Sequence, residues 1–390
     1  MNDQKKIIMF SITNLLNYIA EGVGYCMLIA YLIAIGYTAT QRSIMFSFGA
    51  LLSMVVQFLV GYLCDKNKTV RRYVIYGYIV YSIVVLALYS YNTYNFYVHF
   101  VLVSLNTVMF RVSMGLLDSW VLESGEYCKT NYGFIRAFGS IGWVIGSWLT
   151  AIVIDYLGYI YIGVVFTLIN IVLIIINLKM DDVVKESQEK IDLKSVGKLF
   201  ENKGYVYLIV LMFFIFMMQT ALDYTIVSKL DALKASNAQI SYYWMITGII
   251  ELPMFFFGAK AVKKFGSIPL LIVSILSYGL RFFLYGISVS VVQVLTISLL
   301  QVTCFPIMNV VSKQLIDDES PASLKSSGQQ VGLALYSSVS ALIAPLITGV
   351  LEDVFSINTA LFVIGSFALF SLLFTAFYVQ EKKKQGLFIR

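Results

Sequence analysis

Charged residues are scarce in this sequence. Asp, Glu, Lys and Arg make up 13% of the 390 residues, whereas hydrophobic residues make up 59%. A soluble domain carries about a quarter charged residues. The apolar residues fall into runs of about 20, which is the length that a helix needs to cross a bilayer. The composition therefore excludes a soluble globular protein and predicts an all-α membrane protein embedded in a lipid bilayer.

Residues that bind metals or form disulfides are also few. The sequence has one histidine, His99, and four cysteines that form no CxxC pair: Cys26, Cys64, Cys128 and Cys304. This pattern argues against a disulfide framework and against a zinc site. No nucleophile–base pair and no phosphate-binding loop stands out. We therefore expect no metal, no cofactor and no enzymatic activity.

The apolar runs predict twelve membrane spans. They lie at about 7–35, 42–63, 73–91, 96–122, 132–154, 159–178, 205–228, 238–258, 268–287, 291–312, 327–350 and 358–379. Most Lys and Arg residues lie in the two tails and in alternate loops, so the positive-inside rule predicts that both termini are cytoplasmic. Topology thus accounts for the net charge of +6, and we expect no nucleic-acid partner. The predicted location is the plasma or inner membrane.

A charged linker near the middle divides the chain. We predict an N-terminal six-helix bundle at 1–178, a cytoplasmic linker at 179–204, and a C-terminal six-helix bundle with a short tail at 205–390. A weak repeat relates the halves, since Asp155 ends the fifth predicted span and Asp353 ends the eleventh, 198 residues later. A duplicated six-span unit is typical of transporters that bind their substrate at the interface of the repeats. We expect the protein to function as a monomer.

Seven ionisable residues fall within predicted spans: Glu21, Arg111, Asp118, Arg136, Asp223, Glu251 and Arg281. Each is a candidate functional residue, because an unpaired charge in hydrocarbon is costly. Arg136 and Trp143 are two helical turns apart and share one face of the fifth span, about 10 Å apart. The glycines at 139, 142 and 146 let a neighbouring helix approach closely. This face is predicted to line a substrate cavity.

Asp118 and Arg136 form the strongest predicted pair. A carboxylate and a guanidinium on adjacent helices can bind a diol from both sides, although the same pair can also serve only to join two helices. Trp143 is predicted to stack on the apolar face of a sugar or a nucleobase, with ordinary packing as the alternative. Arg111 lies on the same face as Asp118, so it can share that carboxylate, meet Glu21, or join helices.

The remaining candidates concern neutral ligands and protons. Gln301, in the middle of the tenth span, is predicted either to bind substrate or to join two helices. Glu251 and Glu21 are the proton-coupling candidates, because a carboxylate in an apolar cavity can load and unload a proton as access alternates. An arginine close to Glu251, such as Arg281, would favour release of that proton.

The loop after the second span carries the pattern Gly61-x-Leu63-x-Asp65-(x)5-Arg71-Arg72. It resembles the loop signature of the major facilitator superfamily, and an eroded copy without the acidic residue occurs at 258–264. The resemblance covers the whole chain at the level of spans and linker. It implies two pseudo-symmetric six-helix bundles. It also implies that Gly61, Asp65, Arg71 and Arg72 act in conformational change, closing the cytoplasmic side in the outward-facing state.

Within that superfamily, Arg136-x-Phe138-Gly139-x-x-Gly142-Trp143 resembles the fifth span of lactose permease and related oligosaccharide–proton symporters. The resemblance implies that Arg136 binds sugar hydroxyls, that Trp143 stacks under the sugar ring, and that Asp118 and Arg281 stand at functional positions. Glu251 lies about one turn from the position of the coupling glutamate.

Two departures from that pattern affect the proton-handling residues and the substrate. Gln301 and Cys304 stand where the symporters carry a histidine and a glutamate, so the proton-handling residues are not in their usual places. Glu251-Leu-Pro-Met-Phe-Phe resembles nucleoside and aromatic-acid permeases instead.

These patterns together predict a secondary active transporter that imports a sugar or another polyhydroxylated solute with protons, by alternating access. Two alternatives use the same fold. A nucleoside or aromatic-acid permease is favoured by the pattern at Glu251, and a drug/proton antiporter would suit a cavity with fewer paired charges than Asp118 and Arg136 provide. The predicted partners are a small-molecule substrate, protons and the lipid bilayer.

Overall fold

The computed structural model describes residues 2–183, 193–321 and 324–384, and these residues are almost entirely helical. The first half forms eight helices: α1 (Asp3–Tyr25), α2 (Leu28–Ile35), α3 (Ala39–Asn67), α4 (Arg71–Ser90), α5 (Phe96–Glu123), α6 (Glu126–Thr130), α7 (Tyr132–Leu157) and α8 (Ile160–Leu178). The helices α1 and α2 together make the first span of 33 residues, with a break at Cys26 and Met27.

The second half forms ten further helices: α9 (Leu193–Glu201), α10 (Lys203–Ala232), α11 (Asn237–Phe265), α12 (Ser267–Ile287), α13 (Val291–Ile297), α14 (Phe305–Glu319), α15 (Lys325–Leu333), α16 (Val339–Val354), α17 (Ile357–Gly365) and α18 (Phe367–Lys384). A 3₁₀ stretch, Ser298–Thr303, joins α13 to α14, and a π-helical turn, Ala334–Ser338, joins α15 to α16. Pro306 lies in the first turn of α14, where its missing N–H costs no helical hydrogen bond.

Eleven helical segments among the described residues are long and apolar enough to cross a membrane. The remaining predicted span, the eighth, at 238–258, coincides with α11, a helix of 29 residues that contains Pro253. Each predicted span therefore has a helix at its place, and the predicted all-α membrane architecture is confirmed. The predicted linker 179–204 contains α9, but residues 184–192 lie outside the described part of the chain.

One span ends later than its sequence suggests. The helix α10 continues to Ala232 and includes Lys229, which lies just beyond the predicted span 205–228. Lys229 is only 3% exposed, and its Nζ donates to the Ser288 carbonyl at 2.9 Å and to Asn358 Oδ1 at 2.7 Å. The long aliphatic stem of lysine packs along apolar surface while the amine reaches these two oxygens, which explains how a cation extends the helix.

The chain divides into two compact units. The first contains residues 1–188 and 234–249, and the second contains residues 189–233 and 250–390. The N-terminal part of α11 thus groups with the first unit, where Gly248 lies so near Val144 that an added Cβ would be 3.0 Å from its side chain. The domain limits drawn from the sequence at 178 and 204 stay a prediction.

In the first unit, α1 and α7 approach each other through glycine. A Cβ on Gly142 would lie 2.3 Å from the Leu15 carbonyl oxygen, and one on Gly146 would lie 2.4 Å from that of Ile19. Only glycine permits this backbone separation, as expected for small-residue contacts between membrane helices. The close neighbour that the glycines predicted is therefore α1. Its polar residues are brought directly against the face of α7 that carries Arg136.

Candidate functional site

Arg136 is the centre of a polar site in the first unit. Its guanidinium lies 4.3 Å from the centroid of the Tyr18 ring on α1. It also interacts electrostatically with Asp118 on α5, with Tyr132 on α7 and with Glu21 on α1. The structure thus brings together Arg136, Asp118 and Glu21, three of the predicted site residues, on three helices.

Glu21 is buried next to this cation, with only 1% of its surface exposed. Its Oε1 accepts a hydrogen bond from Asn17 Nδ2 at 2.9 Å, and Asn17 Oδ1 accepts one from Ser113 Oγ at 3.1 Å. The Glu21 Oε2 atom is buried and receives no hydrogen bond within the described part of the chain. A buried carboxylate oxygen without a donor is costly, and protonation relieves that cost without requiring any extra volume.

Trp143 belongs to an aromatic cluster rather than standing alone. Its ring packs edge-on against Phe110, at a centroid distance of 6.5 Å, and against Trp244, at 6.1 Å. Phe110 stacks in turn on Tyr25 at 4.4 Å. All four residues lie in the first unit. The indole of Trp143 is only partly buried, so packing holds its edge while part of its surface stays accessible to a ligand.

The second unit contains a separate polar network around Arg281, which is fully buried. Its Nη1 donates to Gln301 Oε1, and its Nε donates to the Tyr285 hydroxyl at 3.0 Å. Gln301 Nε2 donates to Glu251 Oε1 at 2.5 Å. The Gln301 amide therefore bridges a guanidinium and a carboxylate, with its oxygen toward the cation and its nitrogen toward the anion. The predicted proximity of Glu251 and Arg281 is mediated by this third residue.

Three further residues of the second unit form hydrogen bonds next to this network. The Tyr278 hydroxyl donates to Gln219 Oε1 at 2.6 Å, and Gln219 Nε2 donates to Asp223 Oδ1 at 3.2 Å. Tyr278 also interacts electrostatically with Arg281 and Glu251. The sequence did not predict Gln219, Tyr278 or Tyr285 as site residues. The signal was present in part, because Gln219 and Asp223, like Arg281 and Tyr285, are four residues apart on one helix face.

A comparison with models of protein families identifies the family of this chain. A family model described as the MFS_1 like family matches residues 7–363. The chain belongs to the MFS_1 like family. The resemblance to the major facilitator superfamily is thereby confirmed, and the protein is a multi-pass membrane transporter. None of the curated proteins compared with the chain matches it.

Solved structures show the same fold for this MFS_1 like transporter. The nucleoside transporter NupG superposes with a TM-score of 0.81 at 15% identity, covering 98% of this chain and 100% of that one. A transporter of the POT family in complex with 5-aminolevulinic acid gives a TM-score of 0.77 at 12% identity, covering 97% of this chain and 96% of that one. A bacterial homologue of the lysosomal transporter Spinster gives 0.73 at 10% identity, covering 98% of this chain and 97% of that one. At these identities the likeness concerns the fold alone.

The loop signature of this MFS_1 like transporter extends from the end of α3 to the start of α4. Asp65 is in the last turn of α3, Arg71 begins α4, and Arg72 is exposed. A Cβ on Gly61 would meet nothing within 4 Å, so packing in this structure does not require a glycine there. The conformational role of these four residues stays a prediction.

A residue that the sequence reading did not single out holds this loop in place. Asp182 Oδ1 accepts hydrogen bonds from the backbone N–H groups of Val70, Arg71 and Val183 at 3.1, 3.0 and 2.8 Å. Its Oδ2 accepts one from Thr69 Oγ1 at 2.5 Å. Burial alone would raise the pKa of Asp182, but these hydrogen bonds outweigh it and hold the pKa below its ordinary value. Asp182 therefore caps α4 from a distant part of the sequence.

The backbone of Arg111 contacts α3. Its carbonyl accepts a hydrogen bond from Gln57 Nε2 at 3.1 Å, and the role of its side chain in substrate binding stays a prediction. For metals, the described residues contain no group of three His, Cys, Asp or Glu side chains that could hold an ion.

Proposed function

We propose that this transporter is a proton-coupled symporter that imports a small polyhydroxylated solute, with a sugar as the leading substrate class. One observation supports this proposal most strongly: the cation Arg136 interacts with a carboxylate on each of two other helices, Asp118 and Glu21. Asp118 and Arg136 would bind solute hydroxyls, because a carboxylate accepts and a guanidinium donates hydrogen bonds. Glu21 would carry the proton.

The shared cation supplies a physical link between the two ligands. With both carboxylates ionised, Arg136 compensates two negative charges in a site of low dielectric, which leaves one charge poorly balanced. Protonation of Glu21 frees Arg136 to act with Asp118 on the solute. Alternating access then moves a site without a net uncompensated charge, which lowers the cost of closure. The proton and the solute would thus favour each other's binding through Arg136.

Glu251 is the second candidate for the proton. Its hydrogen bond from Gln301 ties it to Arg281, so its negative charge has a cationic partner within its own network. An amide does not titrate, and Gln301 can therefore transmit a change of position but not a proton. These contacts favour Glu21 over Glu251 as the coupling residue, and we propose that Arg281, Gln301 and Glu251 act in substrate contact or gating in the second unit.

A nucleoside is the second candidate substrate. The aromatic cluster of Trp143, Phe110 and Trp244 suits a flat nucleobase as well as the apolar face of a sugar. The ribose of a nucleoside offers the hydroxyls that Asp118 and Arg136 would bind. NupG, whose fold is similar, is a nucleoside transporter. A drug/proton antiporter is less well supported, because the site is built from charged and hydrogen-bonded groups.

The experiment that tests the proposal is counterflow in vesicles that contain the purified protein, with labelled uridine and labelled methyl-β-galactoside as probes. We expect exchange of the galactoside and, for the alternative, exchange of uridine. Exchange of uridine alone would replace the sugar proposal with the nucleoside one. If neither probe is exchanged, both the sugar proposal and the nucleoside proposal are overturned.

We further propose that the protein is inserted in the plasma or inner membrane with both termini cytoplasmic, and that it functions as a monomer.

A further inference from the structure

Tyr18 has no role in the functions considered so far, yet its ring is in direct contact with Arg136. The side chain is only 5% exposed, and its ring face lies under the guanidinium at 4.3 Å. An aromatic ring attracts a cation placed over its face, and the attraction strengthens when water is excluded. The Tyr18 ring therefore acts as a surface on which Arg136 rests.

Gly139 makes this arrangement possible. A Cβ at that position would lie 2.7 and 2.9 Å from the Cδ2 and Cε2 atoms of the Tyr18 ring and 2.8 Å from Arg136 Nη1. Any larger residue would push the ring and the guanidinium apart or displace both. The glycine one turn after Arg136 thus leaves the space in which the ring and the cation meet.

The ring itself is fixed by the backbone of α1. Gly142 and Gly146 of α7 hold the carbonyls of Leu15 and Ile19, on either side of Tyr18, at distances that admit no side chain. The α1 backbone cannot move toward α7, so the position of the Tyr18 ring is set by the packing of the two helices. A flexible arginine side chain is thereby given one preferred position.

We propose that Tyr18 is a positioning residue that selects the substrate through Arg136, by its ring face rather than by its hydroxyl. The guanidinium lies over the face of the Tyr18 ring, and its N–H donors all lie in the plane of the guanidinium. Donors in one plane suit two oxygen acceptors held side by side, such as neighbouring hydroxyls of a sugar or a ribose. This inference rests on the proposed function, because it deepens the substrate choice at the same site.

The test compares Tyr18→Leu, which removes the ring, with Tyr18→Phe, which keeps it. Counterflow of methyl-β-galactoside and uridine is measured in vesicles, with thermal unfolding of the purified variants as the check on folding. We expect KM for the transported probe to rise about tenfold in Tyr18→Leu, with a smaller change in the maximal rate, since a desolvated cation–π contact is lost. Tyr18→Phe recovers most of that affinity. Equal losses in both variants, or none in Tyr18→Leu, would overturn the proposal.

A matched glycine pair gives a second, independent variant. Gly139→Ala places a methyl group against both the ring and the cation, whereas Gly133→Ala, in the first turn of the same helix, meets nothing within 4 Å. We expect Gly139→Ala to raise KM as Tyr18→Leu does, and Gly133→Ala to leave it unchanged. If the two alanine variants behave alike, Gly139 does not set the position of Arg136.

A chemical measurement tests the contact without any transport, so that its failure differs from failure of the proposed function. The purified protein is treated with phenylglyoxal, which modifies guanidinium groups, and modification of Arg136 is followed by peptide mass spectrometry with the exposed Arg72 as the internal reference. We expect Arg136 to react several-fold faster in Tyr18→Leu than in the wild type or in Tyr18→Phe. Equal reaction rates in all three proteins would contradict the ring contact even if neither probe is transported.

Discussion

The polar networks of the two units differ in how much of their hydrogen-bonding capacity is used. In the second unit, both ends of the Gln301 amide are occupied, by Arg281 and by Glu251. In the first unit, Glu21 Oε2 and the Tyr18 hydroxyl are buried without a hydrogen bond from the described residues. A proton that binds to Glu21 Oε2 displaces no hydrogen bond from that atom, whereas a ligand that binds to the Gln301 amide must displace one, at a cost of about 1–3 kcal/mol. This difference supports the proposal that the coupled proton binds in the first unit.

The largest effect should follow removal of the cation that the first network shares. Arg136→Gln is expected to lower the initial rate of proton-driven uptake by about a hundredfold or more, because Asp118 and Glu21 then lose their common partner. Arg136→Lys is the matched variant, which keeps the charge but not the fork of donors. We expect it to restore less than a tenth of the rate. Wild-type uptake in Arg136→Lys would mean that charge alone matters at this position.

A smaller effect is expected from breaking the second network. Gln301→Leu leaves the Arg281 guanidinium and the Glu251 carboxylate without their bridging amide, so stability should fall by about 1–3 kcal/mol. Thermal unfolding in detergent, with Gln301→Glu as the partner variant, measures this. Gln301→Glu can still accept from Arg281 but places a second carboxylate against Glu251. A Gln301→Leu protein as stable as the wild type would show that the bridge contributes no stability.

The smallest effect concerns the loop at the start of α4. Asp182→Asn should lower stability by about 1 kcal/mol near neutral pH, since one cap is weakened. Because the folded-state pKa of Asp182 lies below its ordinary value, the stabilisation is fully present above about pH 4. It is lost as the pH falls through the lower, folded-state pKa. The difference in unfolding temperature between wild type and variant, measured from pH 7 to pH 3, should therefore shrink on acidification. A constant difference would contradict the cap.

Much of the fold follows from local sequence. Runs of apolar residues place every helix that could cross the membrane, and Pro306 coincides with the point where the tenth span changes from a 3₁₀ stretch to α14. The loop pattern and the fifth-span pattern, through resemblance, identified the superfamily. These features depend on residues close together in the chain, which is why composition and spacing suffice.

The parts that could not be predicted depend on residues far apart in the chain. Gln301 lies 50 residues from Glu251 and 20 from Arg281, and its bridging position exists only when three helices pack. Asp182 reaches Thr69 across 113 residues. Nothing in the sequence distinguishes Tyr18 from the many other aromatic residues. Its contact with Arg136 depends on the close packing of α1 against the glycines of α7. Periodicity reports which face of a helix is polar, but not which partner that face meets.

Glu21 in the first unit is the residue that we propose to carry the coupled proton. Accumulation of the transported probe against its gradient, driven by an imposed pH gradient, is compared in vesicles containing Glu21→Gln or Glu251→Gln. We predict that Glu21→Gln loses accumulation but retains counterflow, because the amide mimics a carboxyl that stays protonated. Glu251→Gln should retain accumulation. Persistence of accumulation in Glu21→Gln, with its loss in Glu251→Gln, would contradict the account and assign the proton to the second unit.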